Sequence, residues 1–410
     1  MASKEMDLMS RKKVTLVYAK RYRRASSKKE KSQILDEFVR LTGYNRCYAS
    51  WLLRNAGKKI HVKTRSGTRF VLVADPTRKI KRNRAKIYGH DVLVALKKIW
   101  TILDYPCSLR LKAMLPKIIP KLEQHGELLL KDSTREKLLH ISRSTIDRLL
   151  APERKLITLK PRAKTKPGSL LKRQIPIRTH SQWKDNTPGF IEIDLLSHDG
   201  GLARGEFAYT LVLTDIYTQW TELVPVRNRA QVWTFQALQQ AIKRFPFPIK
   251  GIDSDNDSAF INHHLLRWCR DNGIIFTRSR PYWKNDNCHV EQKNWSVGRR
   301  YLGYFRYDTQ QALQTMAELE ALLGLYVNYF QPSLKLKQKI RNGAKVKKVY
   351  EPPKTPYERV LESDLPQDAK QLLKQRYQQL NPAELSRKIV ALQNKLYSLA
   401  TPVKGVKYEI

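Results

Sequence analysis

Three acids in this 410-residue sequence stand where a carboxylate calls for an explanation. Asp194 interrupts an apolar run, Phe190-Ile191-Glu192-Ile193-Asp194-Leu195-Leu196. An unpaired charge in a stretch that should be buried is expensive, so Asp194 needs a partner. Asp255 follows a second apolar run, in Gly251-Ile252-Asp253-Ser254-Asp255-Asn256. Glu291 opens a helical pattern after the loop 281–287, and 35 residues separate it from Asp255. Hard divalent cations want oxygen ligands, and Mg²⁺ keeps several waters, so two or three carboxylates suffice to hold it. Transfer of a phosphodiester needs an activated nucleophile and a stabilised leaving oxygen, and two such ions roughly 3.5–4 Å apart provide both. On this reading Asp194 bridges two Mg²⁺ (or Mn²⁺) ions, with Asp255 on one and Glu291 on the other. Asp253 is a rival second ligand, with a gap of 37 residues to Glu291. Asp199, Asp215 and Glu222 read as structural or surface acids.

The elements that must position these acids are legible in the hydrophobic pattern. Residues 190–196, 207–217 and 221–226 read as three hairpin-connected strands. Residues 231–244 have helical periodicity, with Val232, Phe235, Leu238 and Ile242 on one face. A short strand at 249–252, a helix at 260–271 closed by Asn272-Gly273, a strand at 274–277 and a helix at 290–301 follow. The order β-β-β-α-β-α-β-α predicts a mixed five-stranded sheet with helices on its faces. Basic and aromatic residues surround the last acid. Lys284, Lys293 and Arg299 read as DNA contacts, while Trp295, four residues after Glu291, reads as core. Cys269 and the neighbouring His263-His264 read as a packed thiol and surface histidines rather than a zinc site, because adjacent helical positions point apart.

Asp194, then Ser254-Asp255-Asn256 with Phe260 five residues beyond the Asp, then Glu291, resembles the DDE catalytic core of retroviral integrases and bacterial insertion-sequence transposases. The resemblance covers about residues 186–330. It implies a ribonuclease-H-like fold and metal-dependent phosphoryl transfer on DNA, with no covalent protein–DNA intermediate. It also implies action on double-stranded DNA, at element ends and target, by a homo-oligomer. The sequence departs from the family at two places: Asp257 stands where a Gly is common, and Ala259 where an acid is frequent. A ribonuclease-H-like nuclease that cuts without joining, or an inactive DNA-binding relative, is the alternative.

The rest of the chain supports a nucleic-acid partner. There are 78 Lys and Arg against 37 Asp and Glu, a formal charge of +41. Such a surplus repels itself unless a polyanion screens it, and neutralising phosphates releases counterions. There is no secretory signal and no apolar run long enough for a transmembrane helix, so a cytoplasmic, nucleoid-associated bacterial protein with no membrane contact is expected. The chain reads as multidomain. An α-helical DNA-binding region with a helix-turn-helix occupies 1–85, and a second such region 86–151. A basic linker (152–181), the α/β ribonuclease-H-like core (182–330) and a basic C-terminal region (331–410) follow. In the first helix pair Ser27-Lys28-Lys29-Glu30 fits a capping box, Tyr48, Trp51, Leu52 and Leu53 face inward, and Arg46 and Arg54 face DNA. In the second, Ser133-Thr134-Arg135-Glu136 is another such box. Ser142 caps a helix that offers Arg143, Ser144 and Arg148 to phosphates or base edges.

Overall fold

The computed structural model describes residues 7–64, 67–77, 87–155, 187–255, 257–280, 287–343 and 345–403. Most of the basic linker and Lys284, with Tyr282 and Trp283, lie outside these residues. The chain forms two compact units, Met1–Lys86 and Ile87–Ile410.

The first unit is built of α1 (Leu8–Arg24), α2 (Lys28–Thr42), α3 (Arg46–Asn55) and a hairpin of β1 (Lys59–Thr64) and β2 (Gly67–Leu72). The side chain of Ser27 accepts the Glu30 amide at 3.1 Å, and the Glu30 carboxylate accepts the amide of Ser26, one residue before the cap. Gly43 ends α2 at φ 70°, a conformation that glycine adopts without steric cost. Phe38, Leu35, Leu52 and Leu53 form the centre of the core. Tyr48 and Trp51, expected inside, are 48% and 40% exposed and stack on one another. Three helices around Phe38 leave α3 only one inward stripe, and Ala49, Leu52 and Leu53 fill it.

The second unit opens with α4 (His90–Ile102), α5 (Ser108–Gln124), α6 (Asp132–His140) and α7 (Arg143–Arg154). Helix α6 begins at Asp132, so Ser133 lies inside the helix and caps nothing. Ser142 does cap α7, accepting the Thr145 amide at 3.2 Å.

The sheet that follows has β3 (Phe190–Ser197), β4 (Tyr209–Asp215), β5 (Thr221–Val226), β6 (Gly251–Ser254) and β7 (Ile275–Arg278), in the order β5-β4-β3-β6-β7. β3, β4 and β5 are antiparallel, while β6 and β7 run parallel to β3. This is the mixed five-stranded sheet that the strand order predicts. Helices α8 (Gln231–Ile242) and α9 (His263–Asp271) make the crossovers. After β7 come α10 (Cys288–Lys293), a π-helical turn (Asn294–Arg299) and the short α11 (Arg300–Leu302). The long α12 (Gln310–Phe330) packs on β5.

Beyond it a hairpin, β8 (Leu336–Asn342) and β9 (Lys345–Tyr350), leads to α13 (Pro356–Glu362), α14 (Gln367–Gln379) and α15 (Pro382–Ser398). The helices of 87–155 belong to this same body. Tyr326 on α12 donates to the Ile102 carbonyl, Gln331 donates to that of Leu103, and Arg387 on α15 pairs with Glu127 at 2.7 Å. Among the described residues no helix is long and apolar enough to cross a membrane.

Candidate active site

The sheet register brings the first two acids together. β3 and β6 run parallel with Ile193 opposite Ser254, so the next step along each chain is Asp194 and Asp255. Neighbouring strands lie about 4.8 Å apart, which makes these carboxylates neighbours. Asp194 is half-buried. It accepts the Leu195 amide at 2.8 Å on one oxygen and the side-chain amide of Asn294 on the other. Asp253 is fully buried and accepts the hydroxyl of Thr277 on β7. Glu291 lies exposed in the first turn of α10.

The three acids act on one another electrostatically. Burial, then the charges of Asp255 and Glu291, raise Asp194 to about 8. Burial raises Asp255 to about 6, with Asp257 and Glu291 adding to the rise and Arg229 opposing it. Crowded carboxylates resist ionising together, and a bound cation relieves that. The donors are all carboxylate oxygens, the set that hard divalent cations take. Among the described residues, no three His, Cys, Asp or Glu side chains are gathered closely enough to hold an ion as they stand.

Two residues that sequence reasoning passed over hold the helix of Glu291 against β3. Glu192 is fully buried, and one of its oxygens accepts the amides of His289 at 2.8 Å and Val290 at 3.0 Å. Asn294 donates to Asp194 from the other side of Glu291. The signals were local: Glu192 shares a strand face with Asp194, and Asn294 lies three residues beyond Glu291 on its helix. Beyond the second clamp Gly298 sits against Leu196. A Cβ at Gly298 would meet a Leu196 methyl at 2.5 Å, so glycine allows this close approach.

The phase of this helix corrects two expectations. Val290, Lys293 and Val297 face the core, whereas Glu291 and Trp295 face solvent. Trp295, expected in the core, is 55% exposed, because a residue four positions from an outward Glu291 shares its face. Lys293, expected on DNA, is 7% exposed. Burial, with Arg359 and Arg110 nearby, lowers its ammonium to about 7. Arg299 is half-buried, lies over the Tyr304 ring at 4.8 Å and donates to the Gly303 carbonyl at 3.3 Å.

Asp257, the departure in the second-acid loop, is engaged in two ways. Its carboxylate accepts the Ala259 amide at 3.0 Å, and both its oxygens take the Arg229 guanidinium at 2.6 Å. Its own amide donates to Asp255 at 2.9 Å. Asp215 and Glu222 serve the fold. Asp215 accepts from Gly189 and Thr218, and Glu222 from the Trp220 indole.

The other expected site residues lie elsewhere. In the first unit Arg46 is exposed but pairs with Asp36 and donates to Ser32, while Arg54 is exposed on α3. On α7, Arg143, Ser144 and Arg148 are exposed. Arg143 and Ser144, with Lys112 and Asp147, line a shallow concavity of about 690 Å³. Cys269 is a buried free thiol, and His263 and His264 are exposed.

The integrase core domain family matches residues 185–284, a span that takes in Asp194 and Asp255 and ends before Glu291. "Uncharacterized protein y4rM" of Sinorhizobium fredii (strain NBRC 101917 / NGR234) is 41% identical over 357 residues, which cover 87% of this chain and 97% of that protein. The catalytic core domain of BIV integrase, seen in its crystal form I, aligns at 20% identity and a TM-score of 0.27, over 42% of this chain and 94% of that one.

Proposed function

Because this chain belongs to the DDE transposase and integrase family and carries its ribonuclease-H-like integrase core, we propose that it binds the ends of a mobile element and moves them by strand cleavage and strand transfer. The observation that carries this reading is the meeting of Asp194, on β3, with Asp255, just past the end of the parallel β6, with the helix of Glu291 pinned beside them. In the first step water attacks the phosphorus at the element end, and the bond to the departing 3′ oxygen breaks, freeing a 3′-OH. In the second that 3′-OH attacks a target phosphodiester in line, forming one ester bond as another breaks.

Asp194, Asp255 and Glu291 are the residues that would hold a pair of Mg²⁺ or Mn²⁺ ions. When bound, such ions polarise the scissile phosphate and neutralise the charge that builds on it. Glu192 and Asn294 keep Glu291 and Asp194 in fixed relation before substrate arrives, the preorganisation such chemistry needs. Arg229 cancels the extra charge of Asp257, which favours an active enzyme over an inactive DNA-binding relative.

DNA is held by several parts in this reading. Helices α2 and α3 act as a helix-turn-helix with the β1–β2 hairpin as its wing, offering Arg46 and Arg54. Helix α7 offers Arg143, Ser144 and Arg148. Arg299 and the outward Trp295 flank the scissile strand, and Lys284, outside the described residues, is a further DNA contact in this reading. Two element ends must be joined, so a homo-oligomer on DNA follows, working beside the nucleoid in the bacterial cytoplasm.

The test is a strand-transfer assay with end oligonucleotides and Mg²⁺ or Mn²⁺. Asp194→Ala and Glu291→Ala should each abolish cleavage and joining while duplex binding persists. Wild-type activity in both variants would sink the mechanism. Cleavage without joining by the parent protein would assign it to the nucleases instead.

A further inference from the structure

The β8–β9 hairpin carries three cations in each strand, Lys337, Lys339 and Arg341 against Lys345, Lys347 and Lys348, and no acid. Residues 337–342 and 345–348 are exposed, so neither face of the ribbon is covered. Lys339 stands directly opposite Lys348 in the register. Like charges directly opposite destabilise a strand pair, and a lone two-stranded hairpin is marginal in water. Among the described residues none of the six cations is held in an ion pair. The ribbon therefore gains nothing for the fold from this charge.

Its base, by contrast, is firmly built. Ser333 bridges to Lys354, and the Glu351 amide donates to the Lys335 carbonyl at 2.9 Å. The buried Arg359 of α13 donates to the hydroxyl and the carbonyl of Ser333, each at 2.8 Å. Lys335 lies over the ring of Tyr217, at the β4–β5 turn of the central sheet, 4.6 Å from its centroid. A hydrogen-bonded foot thus carries a ribbon whose cations are exposed.

Alternate cations along a strand are about 6.8 Å apart, and a two-stranded ribbon is of a size to enter a major groove.

We propose that the β8–β9 hairpin is a DNA-holding arm that lies along the phosphate backbone of a bound duplex. This rests on the strand-transfer reading above for the identity of the polyanion. Each phosphate contact contributes a slope of about 0.9 to the dependence of log affinity on log salt concentration.

The test is fluorescence anisotropy of full-length protein with a labelled DNA duplex across a salt series. Lys339→Gln/Arg341→Gln/Lys348→Gln should weaken binding at least tenfold near 100 mM salt, and the slope should fall by about 2 to 3. A control, Lys374→Gln/Lys395→Gln on α14 and α15, should change neither. Equal thermal unfolding of all three proteins keeps folding out of the comparison. An unchanged slope in the triple variant, with the parent protein binding duplex, overturns the arm. So does a loss confined to RNA or single strands. A parent protein that binds no duplex refutes the DNA reading itself, a different result from an arm that contributes nothing.

Discussion

The Arg229 guanidinium meets both carboxylate oxygens of Asp257 at 2.6 Å, two residues beyond Asp255. Asp257 is the more enclosed partner, with its side chain 15% exposed against 44% for Arg229. The pair leaves Asp255 as the uncancelled charge of its loop. Removing Arg229 alone exposes Asp255 to an unpaired like charge, whereas removing both partners does not. Arg229→Ala should lower strand transfer by about tenfold, corresponding to a coupling on the order of 1 kcal/mol. Asp257→Gly should restore most of that loss in the double variant. Additive losses across the cycle would show that the pair does not serve the site.

Glu192 makes a second prediction through the amides of His289 and Val290. Glu192→Ala leaves both donors unanswered in the interior, which costs about 1–3 kcal/mol. Glu192→Gln keeps an acceptor oxygen there and should recover most of the thermal stability. Strand transfer should follow the same ranking, because the clamp sets where Glu291 stands. If Glu192→Ala unfolds at the parent temperature and joins DNA at the parent rate, the clamp is idle.

Trp295 offers a test that separates packing from binding. It is 55% exposed and shares its helix face with Glu291. Trp295→Ala should leave the unfolding temperature nearly unchanged. It should weaken binding to frayed or single-stranded ends, since stacking one base on an aromatic ring contributes about 1–3 kcal/mol. A large fall in stability with unchanged end binding would return Trp295 to the core.

Part of the pH dependence of stability should come from two acids between the sheet and α12, in addition to Asp194 and Lys293. Glu320 is fully buried and accepts the Thr210 hydroxyl at 2.6 Å, and that hydroxyl contacts His198 at 2.8 Å. Burial raises Glu320 to about 8 and Glu222 to about 7, against an ordinary 4.5. Arg244 opposes both rises, Arg376 opposes that of Glu222, and burial keeps His198 neutral. The folded state thus retains protons that the unfolded chain releases between about pH 4.5 and 8. Stability from these groups is complete below pH 4.5 and is lost as pH rises through 7 and 8. The change is on the order of a few kcal/mol. Thermal unfolding should therefore occur at lower temperature at pH 8.5 than at pH 5.5, and Glu320→Gln should flatten that fall. An equal fall in the variant would place its cause elsewhere.

Much of the core was readable from the chain alone. Strand and helix periods are local, so the run around Asp194, the crossover units and the helix after residue 287 could be assigned one by one. The mixed five-stranded sheet follows from their order. The pattern was silent on partners far apart in sequence. Arg229 meets Asp257 across 28 positions, and Glu192 reaches the amides of His289 and Val290 across 97 and 98. Helix phase was decided by packing too: Lys293 turned inward and Trp295 outward once Glu291 had to face the open side.

The sequence by itself determined which residue types lie on which elements, because hydrophobic period and strand order need only neighbours a few positions away. Tertiary structure alone decided which buried acid caps a helix and which acid is cancelled by an arginine. Those choices depend on the parallel pairing of β3 with β6 and on the seating of α10, which bring together groups that no local pattern connects.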